Sequence, residues 1–492
     1  MTDPVVRTRY GSVRGSRNSG VCRFMSVPYA APPVGTRRLR VPEPPLRWDG
    51  VRDARIAGAN APQMLRAFPR IDLSPLVGAG WHPGDDFLTL NIVTPKSGGS
   101  KLPVLVFIHG GAFVAGSSFA AVHAGDAFAR DGIVYVAINY RLGVEGFLPI
   151  PGVPTNLGLR DQIAALSWVR DNIAAFGGDP DQLTVAGESA GAMSLANLIV
   201  SPLARGLIRR AIVQSGHGSM VRSLEVAGRT VAEVAQHLGG EASAEMFRAT
   251  TLADSAGAVA AVSRPEVRLD LRERSGWDAG FGLSRFLPVV GDEVLPDHPL
   301  EALLRGEGAG VDLLIGTTRE EMNIYLVPTG VKPSIGAPAA EAFLNSSAPR
   351  ARQLLEAYGI ERTPCAGDAL CAALTDLVFR LPARRFAAAH KGPAHVYEFT
   401  WRSPACDGQL GACHGLELPF VFDSLGTCTG PNGVAGENPP QEMASRIHKL
   451  WVDFVCRGSL PWPEYEATRR HCHLIDVGRT IDEGAFPAEA LS

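Results

Sequence analysis

The chain has 492 residues, of which 46% are hydrophobic and 20% charged, and its formal net charge is −3 at pH 7. This composition excludes a mostly disordered chain, and the near-neutral charge excludes the basic footprint typical of proteins that bind nucleic acid or anionic membranes. Glycine and proline are abundant, at 54 and 37 residues, but follow no fixed period, which excludes collagen and favours a loop-rich globular chain.

Short apolar runs in the first two thirds of the chain predict strands. Runs without polar alternation are typical of strands that are buried on both faces. Between the second and third runs, apolar spacing predicts a helix over 159–176, which Gly177 and Gly178 would end. This alternation of strands and helix predicts crossover connections and a parallel sheet. In chain order, the strands are predicted over 103–108, 133–138, 183–186, 208–213 and 311–315.

The later part of the chain contains two further features. Residues 238–278 are rich in Ala, Ser, Glu and Arg with weak helical periodicity, which predicts helical cap material over the sheet. Apolar spacing over 446–455 predicts a late helix. No linker-like break in composition is present, so we expect one domain over residues 1–492.

A Gly-x-Ser-x-Gly motif, Gly187-Glu188-Ser189-Ala190-Gly191, lies between a predicted strand and a helical run. This context is typical of a nucleophile elbow, in which a sharp turn exposes the serine hydroxyl at the top of the sheet. The flanking residues are glycines because the turn leaves no room for side chains. A chance match in a glycine-rich chain is the alternative, and the strand before and helix after the motif disfavour it.

A second motif, His109-Gly110-Gly111, follows the predicted strand 103–108. Acyl transfer needs backbone N–H donors where the substrate carbonyl becomes an oxyanion, and glycines let the backbone approach the substrate. The expected donors are the N–H groups of Gly110, Gly111 and Ala190. We expect His109 to be structural, and an ordinary glycine turn after a strand is the alternative interpretation.

A nucleophilic serine also needs a base and an orienting carboxylate, in the chain order Ser, acid, His for this type of elbow. Glu320 and Glu321 follow the predicted strand 311–315 and are candidate acids, with a solvated charge cluster as the alternative. Spacing does not choose the base, although His414 lies in a glycine-containing segment. No paired ligand motif predicts a metal site. The candidate bases are His217, His237, His298, His390, His395, His414, His448, His471 and His473.

Motifs along almost the whole chain match one family in order. They are 24–33 (FMSVPYAAPP), 109–111 (HGG), 139–143 (NYRLG), 156–162 (NLGLRDQ), 176–180 (FGGDP), 187–191 (GESAG), 316–321 (GTTREE) and 414–422 (HGLELPFVF). Together they resemble the type-B carboxylesterases, a branch of the α/β-hydrolases that includes the cholinesterases and the bacterial para-nitrobenzyl esterases. Each motif is moderately specific, and all of them in order are highly specific.

This resemblance implies an α/β-hydrolase fold with a mostly parallel sheet, and hydrolysis of small-molecule carboxylic esters without a cofactor or a metal. It assigns Ser189 as the nucleophile, Glu321 as the acid and His414 as the base. It implies an acyl-enzyme intermediate and an oxyanion hole formed by Gly110, Gly111 and Ala190. Arg141 and Asp161 would form a structural ion pair, and Glu188 and Ser215 would support the elbow.

Three positions depart from the family pattern. Ala61 and Phe87 stand where secreted members have paired cysteines, and Met322 follows Glu321 where the family has glycine. The eight cysteines have no Cys-x-x-Cys spacing, and the chain begins without a signal-peptide pattern. We therefore expect a cytoplasmic enzyme of bacterial type with free thiols and without a membrane span.

Two other functional classes remain open. The same three residues would serve a specialised acyl hydrolase, such as an amidase, a thioesterase or a detoxifying esterase, and a substrate panel would distinguish these. The fold also serves as a non-catalytic binding module. Members of that kind commonly lack the nucleophile, whereas Ser189 is present here.

Overall fold

The structure, a computed structural model, describes residues 3–95, 98–363 and 365–491. The strands are β1 (Val5–Arg7), β2 (Ser12–Arg14), β3 (Ser16–Asn18), β4 (Val21–Pro28), β5 (Val51–Asp53), β6 (Thr89–Thr94), β7 (Leu102–Ile108), β8 (Val134–Ile138), β9 (Gly178–Glu188), β10 (Arg210–Gln214), β11 (Asp312–Thr318), β12 (Ala394–Phe399), β13 (His471–Leu474) and β14 (Arg479–Asp482).

The α-helices are α1 (Ser74–Val77), α2 (Asp126–Arg130), α3 (Gly143–Phe147), α4 (Leu157–Asn172), α5 (Ala190–Val200), α6 (Leu224–His237), α7 (Ala244–Ala249), α8 (Leu252–Val262), α9 (Pro299–Leu304), α10 (Asn323–Leu326), α11 (Ala337–Asn345), α12 (Ala351–Ala357), α13 (Ala366–Thr375), α14 (Leu381–Ala389), α15 (Leu418–Val421) and α16 (Gln441–Arg457). A π-helix spans Asp376–Arg380 between α13 and α14. Short 3₁₀ helices span Gly35–Arg37, Ala121–His123, Ile173–Phe176, Pro202–Ala204, Lys332–Ser334 and Leu425–Thr427.

A large mixed sheet is the centre of the fold. Its strand order is β14-β13-β12-β11-β10-β9-β7-β8-β6-β4-β3, and a small separate sheet has the order β1-β2-β5. The strands from β8 to β13 across the middle are parallel, whereas both edges are antiparallel. The expected α/β fold with a mostly parallel central sheet is therefore confirmed.

Strand β7 shows why the central strands have continuous apolar sequences. Val104, Val106 and Ile108 pack into the apolar core on one face of the sheet, and Leu105 and Phe107 pack into the core on the other face. Each successive side chain of a strand points to the opposite face, so a strand covered on both sides must be apolar at every position.

The predicted strands and helices are present with shifted ends. All five predicted strands occur, and β9 extends from residue 178 where the sequence predicted a start at residue 183. The helix predicted over 159–176 is α4 followed by the 3₁₀ turn Ile173–Phe176. The late helix is longer than predicted, since α16 spans Gln441–Arg457.

The predicted cap segment is only half helical. Helices α7 and α8 occupy its first part, but residues 263–278 contain no helix or strand. Pro265 accounts for the end of helical structure, because proline has no N–H and its ring clashes with the preceding turn.

The expectation of a single domain stays a prediction. Within the described part of the chain, no helix is both long and apolar enough to cross a membrane.

The topology brings four loops to one edge of the sheet. Strands β7, β9, β10 and β11 run parallel, so their carboxyl ends lie side by side. Those ends lead to the His109-Gly110-Gly111 loop, Ser189, Ser215 and Glu321 respectively. Ligands of open α/β sheets bind at this edge, and the predicted site residues lie here.

Candidate active site

Ser189 stands alone between β9 and α5 in a strained backbone conformation. Its φ and ψ angles are 54° and −124°, in the half of conformational space that side chains disfavour. A Cβ atom on Gly191 would lie 2.0 Å from the carbonyl oxygen of Ile108, and one on Gly187 would lie 2.5 Å from the backbone of Gly191. Both flanking glycines are therefore required by the close approach of β7, β9 and α5, as the motif predicted.

The glycine loop after β7 lies directly against the elbow. A Cβ atom on Gly110 would lie 3.0 Å from Ser189 Cβ. Gly111 has a φ of +113° and lies tightly against the carbonyl of Ala115. Among the described residues, the N–H groups of Gly110, Gly111 and Ala190 donate to no protein acceptor. Backbone donors that are free beside a serine can bind a developing oxyanion.

His109 is buried beside this loop and has a structural environment. Its ring stacks on that of Tyr140 with the centroids 4.4 Å apart, and its Nδ1 lies 2.8 Å from the carbonyl oxygen of Gly110. Burial lowers the pKa of His109 to about 4, so the ring is neutral at pH 7.

Glu321 and His414 form the shortest polar contact of the site. Glu321 Oε2 lies 2.6 Å from His414 Nδ1. The other carboxylate oxygen, Oε1, accepts hydrogen bonds of 2.8 Å from the Ser215 hydroxyl and from the Thr318 N–H. Glu321 is fully buried, so these three partners fix both the position of its carboxylate and the orientation of the imidazole ring.

The structure separates the two candidate acids. Glu320 turns away from His414, and its carboxylate pairs with the guanidinium of Arg402 and accepts a 2.8 Å hydrogen bond from the Ala412 N–H. The side chain of Met322 packs in the apolar core at 2% exposure, so this departure from the family pattern leaves the contact of Glu321 with His414 intact.

The second nitrogen of the His414 ring has an unexpected neighbour. His414 Nε2 lies 3.1 Å from Glu188 Oε1, the carboxylate of the residue before Ser189. No hydrogen bond joins Ser189 Oγ to any group in the described residues. Burial disfavours the charge on His414, but Glu188 and Glu321 outweigh it and raise the pKa of the imidazole to about 9.

Three carboxylates surround this one histidine. Burial raises the pKa of Glu188 to about 7, which His414 partly opposes. Burial also raises the pKa of Glu417 to about 8, and the charges of Glu188 and Glu321 add to the effect. Perturbed ionisable groups of this kind cluster at functional sites. Sequence reasoning did not place Glu417 here, because nothing local to it indicates what it faces.

Two aromatic rings flank the imidazole. The ring centroid of Phe379 lies 4.8 Å from that of His414, and the centroid of Tyr325 lies 5.8 Å from it. Phe379 belongs to the π-helix, an element that is frequent at functional sites. Neither ring was predicted from sequence, since no motif marks them.

The remaining candidate bases have other surroundings. His237 ends α6, and His298 caps the start of α9. His395 packs edge-on against Trp462, and His473 stacks on the same ring. The other rings contact Val378 O (His217), Val311 O (His390), Val421 O (His448) and Asp482 (His471).

One group of possible metal ligands occurs among the described residues: Glu398, Cys472 and Glu483. The guanidinium of Arg384 contacts both carboxylates, at 3.3 Å and 2.9 Å. Burial raises the pKa of the Cys472 thiol to about 12, which disfavours the thiolate that a metal needs. The group fits a buried ion-pair network better than a metal site.

Two other expectations concern structure alone. Arg141 and Asp161 form a fully buried ion pair, with Nη2 and Oδ1 2.7 Å apart, as the resemblance implied. All eight cysteines are free thiols, as expected from their spacing.

Comparisons with known proteins define the family. The model of the Carboxylesterase family matches residues 2–480. The chain is 35% identical over 496 residues to the para-nitrobenzyl esterase of Bacillus subtilis (strain 168), covering 98% of this chain and 96% of that protein. It is 34% identical over 510 residues to the phenmedipham hydrolase of Pseudarthrobacter oxydans, covering 100% of this chain and 98% of that protein.

Comparison with a solved structure supports the same family. The structure of the Geobacillus stearothermophilus carboxylesterase EST55 at pH 6.2 matches with a TM-score of 0.82 at 34% identity, covering 97% of this chain and 98% of that one. The chain therefore belongs to the carboxylesterase family and has the α/β-hydrolase fold. It is a serine-dependent carboxylic ester hydrolase, as the resemblance to the para-nitrobenzyl esterases implied.

Proposed function

We propose that this enzyme hydrolyses small-molecule carboxylic esters with Ser189 as nucleophile, His414 as base and Glu321 as the acid that orients it. The observation that carries the proposal is the 2.6 Å contact between Glu321 and His414 at the sheet edge where the elbow exposes Ser189. Gly110, Gly111 and Ala190 supply the oxyanion hole. Their N–H groups have no protein acceptor among the described residues, which supports this role.

The first half of the reaction forms an acyl-enzyme. Neutral His414 takes the proton of the Ser189 hydroxyl through Nε2, and Oγ attacks the ester carbonyl carbon. The carbonyl oxygen becomes an oxyanion held by the three N–H groups. When the intermediate collapses, the ester C–O bond breaks, and His414 gives its proton to the departing alcohol.

The second half releases the acid. A water molecule gives a proton to His414 Nε2 and attacks the acyl carbon. The Ser189 ester bond then breaks, and Oγ takes the proton back from His414. Glu321 stays ionised throughout and holds Nδ1–H, so the tautomer with a free Nε2 is maintained. Every proton comes from a side chain or water, so the proposed steps need no cofactor.

The oxyanion donors make the barrier low. Removing one such donor from a serine protease that uses the same kind of oxyanion hole costs on the order of 10²–10³ in rate. In this chain the donors belong to the backbone of two elements that pack tightly together, so they are held in place before the substrate arrives.

The free thiols support a reducing compartment such as the cytoplasm.

The proposal is tested by hydrolysis of para-nitrophenyl esters of increasing acyl length. We expect Ser189→Ala and His414→Ala each to lower kcat/KM by at least about 10³-fold, because a missing triad member removes the activated nucleophile. Ser194→Ala is the matched control, since Ser194 lies on α5, the helix that follows Ser189, and contacts Gln162. A Ser189→Ala protein that retains a near wild-type rate would refute the assignment.

A further inference from the structure

The hydroxyl of Tyr325 is a polar group of the active site that the proposed mechanism does not use. Tyr325 lies on α10, four residues after Glu321, and its ring centroid lies 5.8 Å from that of His414. No described residue forms a hydrogen bond with this hydroxyl, although solvent reaches it. It is therefore an unpaired donor in the accessible space beside the base.

The charges around Tyr325 indicate which way its hydroxyl faces. Burial raises the pKa of the phenol well above its usual value, and the charge of Glu188 adds more to this rise than the charge of Glu321. Glu188 directly precedes Ser189, so the phenol lies on the elbow side of the His414 ring. The phenol keeps its proton at neutral pH and can donate a hydrogen bond there.

Two apolar side chains lie close to the base on other sides. Phe379 packs on the His414 ring, and a Cβ atom on Gly415 would lie 3.7 Å from Leu76 Cδ1. Neither Phe379 nor Leu76 can form a hydrogen bond with a substrate. In pockets of this kind, a few polar groups among apolar walls orient the ligand and provide specificity. The hydroxyl of Tyr325 is placed to be such a group.

Helix α10 is held in place relative to both the acid and the base. Asn323, its first residue, donates from Nδ2 to the carbonyl oxygens of Gln409 and Leu410 at 3.3 Å and 3.2 Å, on the segment that leads to the base. Met322, between the acid and α10, is buried in the apolar core. The hydroxyl of Tyr325 thus belongs to a fixed backbone, and a donor that is already ordered loses little entropy when a ligand binds.

We propose that Tyr325 is a specificity-determining residue whose hydroxyl donates a hydrogen bond to a second oxygen of the substrate, a few bonds from the reacting carbonyl. This inference rests on the proposed function, because it concerns the substrate of the same triad. The favoured substrates are carboxylic esters that carry an ether or carbonyl oxygen near the ester group, compared with esters whose two parts are hydrocarbon. This oxygen belongs to the acyl or the alcohol part, since both meet at the reacting carbon.

The experiment compares esters that differ by one oxygen. On the acyl side, para-nitrophenyl methoxyacetate is paired with para-nitrophenyl butyrate. On the alcohol side, 2-methoxyethyl butyrate is paired with butyl butyrate. In each pair an ether oxygen replaces a methylene group of similar size. Tyr325→Phe removes the hydroxyl and keeps the ring beside His414, and kcat/KM is measured for the wild type and the variant on all four esters.

We expect kcat/KM for the ether ester of at least one pair to fall about three- to tenfold in Tyr325→Phe, the effect of one uncharged hydrogen bond. The hydrocarbon ester of that pair should change by less than about twofold, because it has no acceptor at that position. Comparing the two proteins on the same esters cancels differences in intrinsic reactivity. A loss on the methoxyacetate places the acceptor in the acyl part, and a loss on the 2-methoxyethyl ester places it in the alcohol part.

Tyr358→Phe is the matched control, because the Tyr358 hydroxyl already donates to Asp376 at 2.7 Å. Neither ester ratio should change in this variant. Equal losses on all four esters in Tyr325→Phe would overturn the proposal and leave the hydroxyl with a structural role. No loss on any of the four esters would also overturn it.

A second measurement shows whether Tyr325→Phe folds as the wild type does. The hydroxyl of Tyr325 has no protein partner to lose among the described residues, so we expect the same midpoint of urea unfolding in both proteins. A clearly lower midpoint in the variant would contradict the proposal. The two proposals fail separately, because an active Ser189→Ala enzyme refutes the triad, whereas an inactive Ser189→Ala with unchanged ester ratios in Tyr325→Phe refutes only the role of Tyr325.

Discussion

Two groups of buried carboxylates in this protein differ in what balances their charge. The arginine cluster consists of Glu398, Glu483, Arg380 and Arg384. The histidine cluster consists of His414, the carboxylates of Glu188 and Glu321 that contact it, and Glu417, which interacts with it electrostatically. In the arginine cluster, each carboxylate faces guanidinium groups. In the histidine cluster, three carboxylates share one imidazole.

The pKa values show the consequence. Burial alone would raise the pKa of Glu398, but Arg380, Arg384 and Arg319 outweigh burial and lower it. In the histidine cluster, burial raises the pKa values of Glu188 and Glu417 to about 7 and about 8. Similar burial therefore accompanies a lowered pKa for Glu398 and raised pKa values for Glu188 and Glu417. Guanidinium groups hold structure together, whereas their absence leaves groups that can take part in proton transfer.

The largest expected effect comes from removing the acid that orients the base. Glu321→Gln keeps the size of the side chain but no longer favours the tautomer with a free Nε2, and the equivalent change in a serine protease lowers kcat about 10⁴-fold. We expect a loss of similar size in steady-state kcat. Glu320→Gln is the matched control on the same loop and should stay within about threefold of the wild type, because its partners are Arg402 and Ala412. Equal losses in the two variants would contradict the assignment of Glu321.

The next largest effect is on stability and comes from breaking the arginine cluster. Arg384→Met leaves Glu483 and Glu398 buried with only part of their counterions, and removing one partner of a buried ion pair costs about 3–5 kcal/mol. Urea unfolding should detect this loss. Arg352→Met is the control, because the Arg352–Glu356 pair is exposed and worth at most about 0.5 kcal/mol. A loss below about 1 kcal/mol in Arg384→Met would mean that the arginine cluster is less cooperative than its geometry indicates.

The smallest expected effect tests the raised pKa of the Glu417 carboxyl group. Its pKa in the folded protein is about 8, above the ordinary value of 4.5, so the folded state holds the proton longer than the unfolded state. The contribution of Glu417 to stability is therefore fully present below pH 4.5 and is lost as the pH rises through 8. Glu417→Gln lacks this decline, so we expect it to gain on the order of 2 kcal/mol relative to the wild type between pH 5 and pH 8.5. The test is denaturant unfolding at both pH values, and a pH-independent difference between the two proteins would argue against a protonated Glu417.

Much of the fold and part of the site follow from local sequence. Runs such as 103–108 are apolar at every position because both faces of the strand are covered, so the strands were predictable. The elbow was predictable because strand, glycines, serine and helix are contiguous. The π-helix was not, because its extra residue per turn reflects packing against neighbouring elements and has no sequence pattern.

The partners of Ser189 were beyond local reasoning for a physical reason. More than two hundred residues separate the serine from His414, and spacing does not choose among nine histidines. Family resemblance chose His414 and Glu321, and the structure brings these two side chains together. Neither local sequence patterns nor family resemblance indicated the contact of Glu188 with His414. This contact depends on the side-chain directions of two loops that are distant in the chain.

The backbone strain at Ser189 affects how this protein can change over evolutionary time. At φ 54° and ψ −124°, a glycine would fit with less strain than serine does. Substitution by glycine would remove the nucleophile and abolish activity, and it would also relieve the backbone strain. A substitution that relieves the backbone strain at this position therefore also inactivates the enzyme, and only selection for the reaction keeps the serine in place.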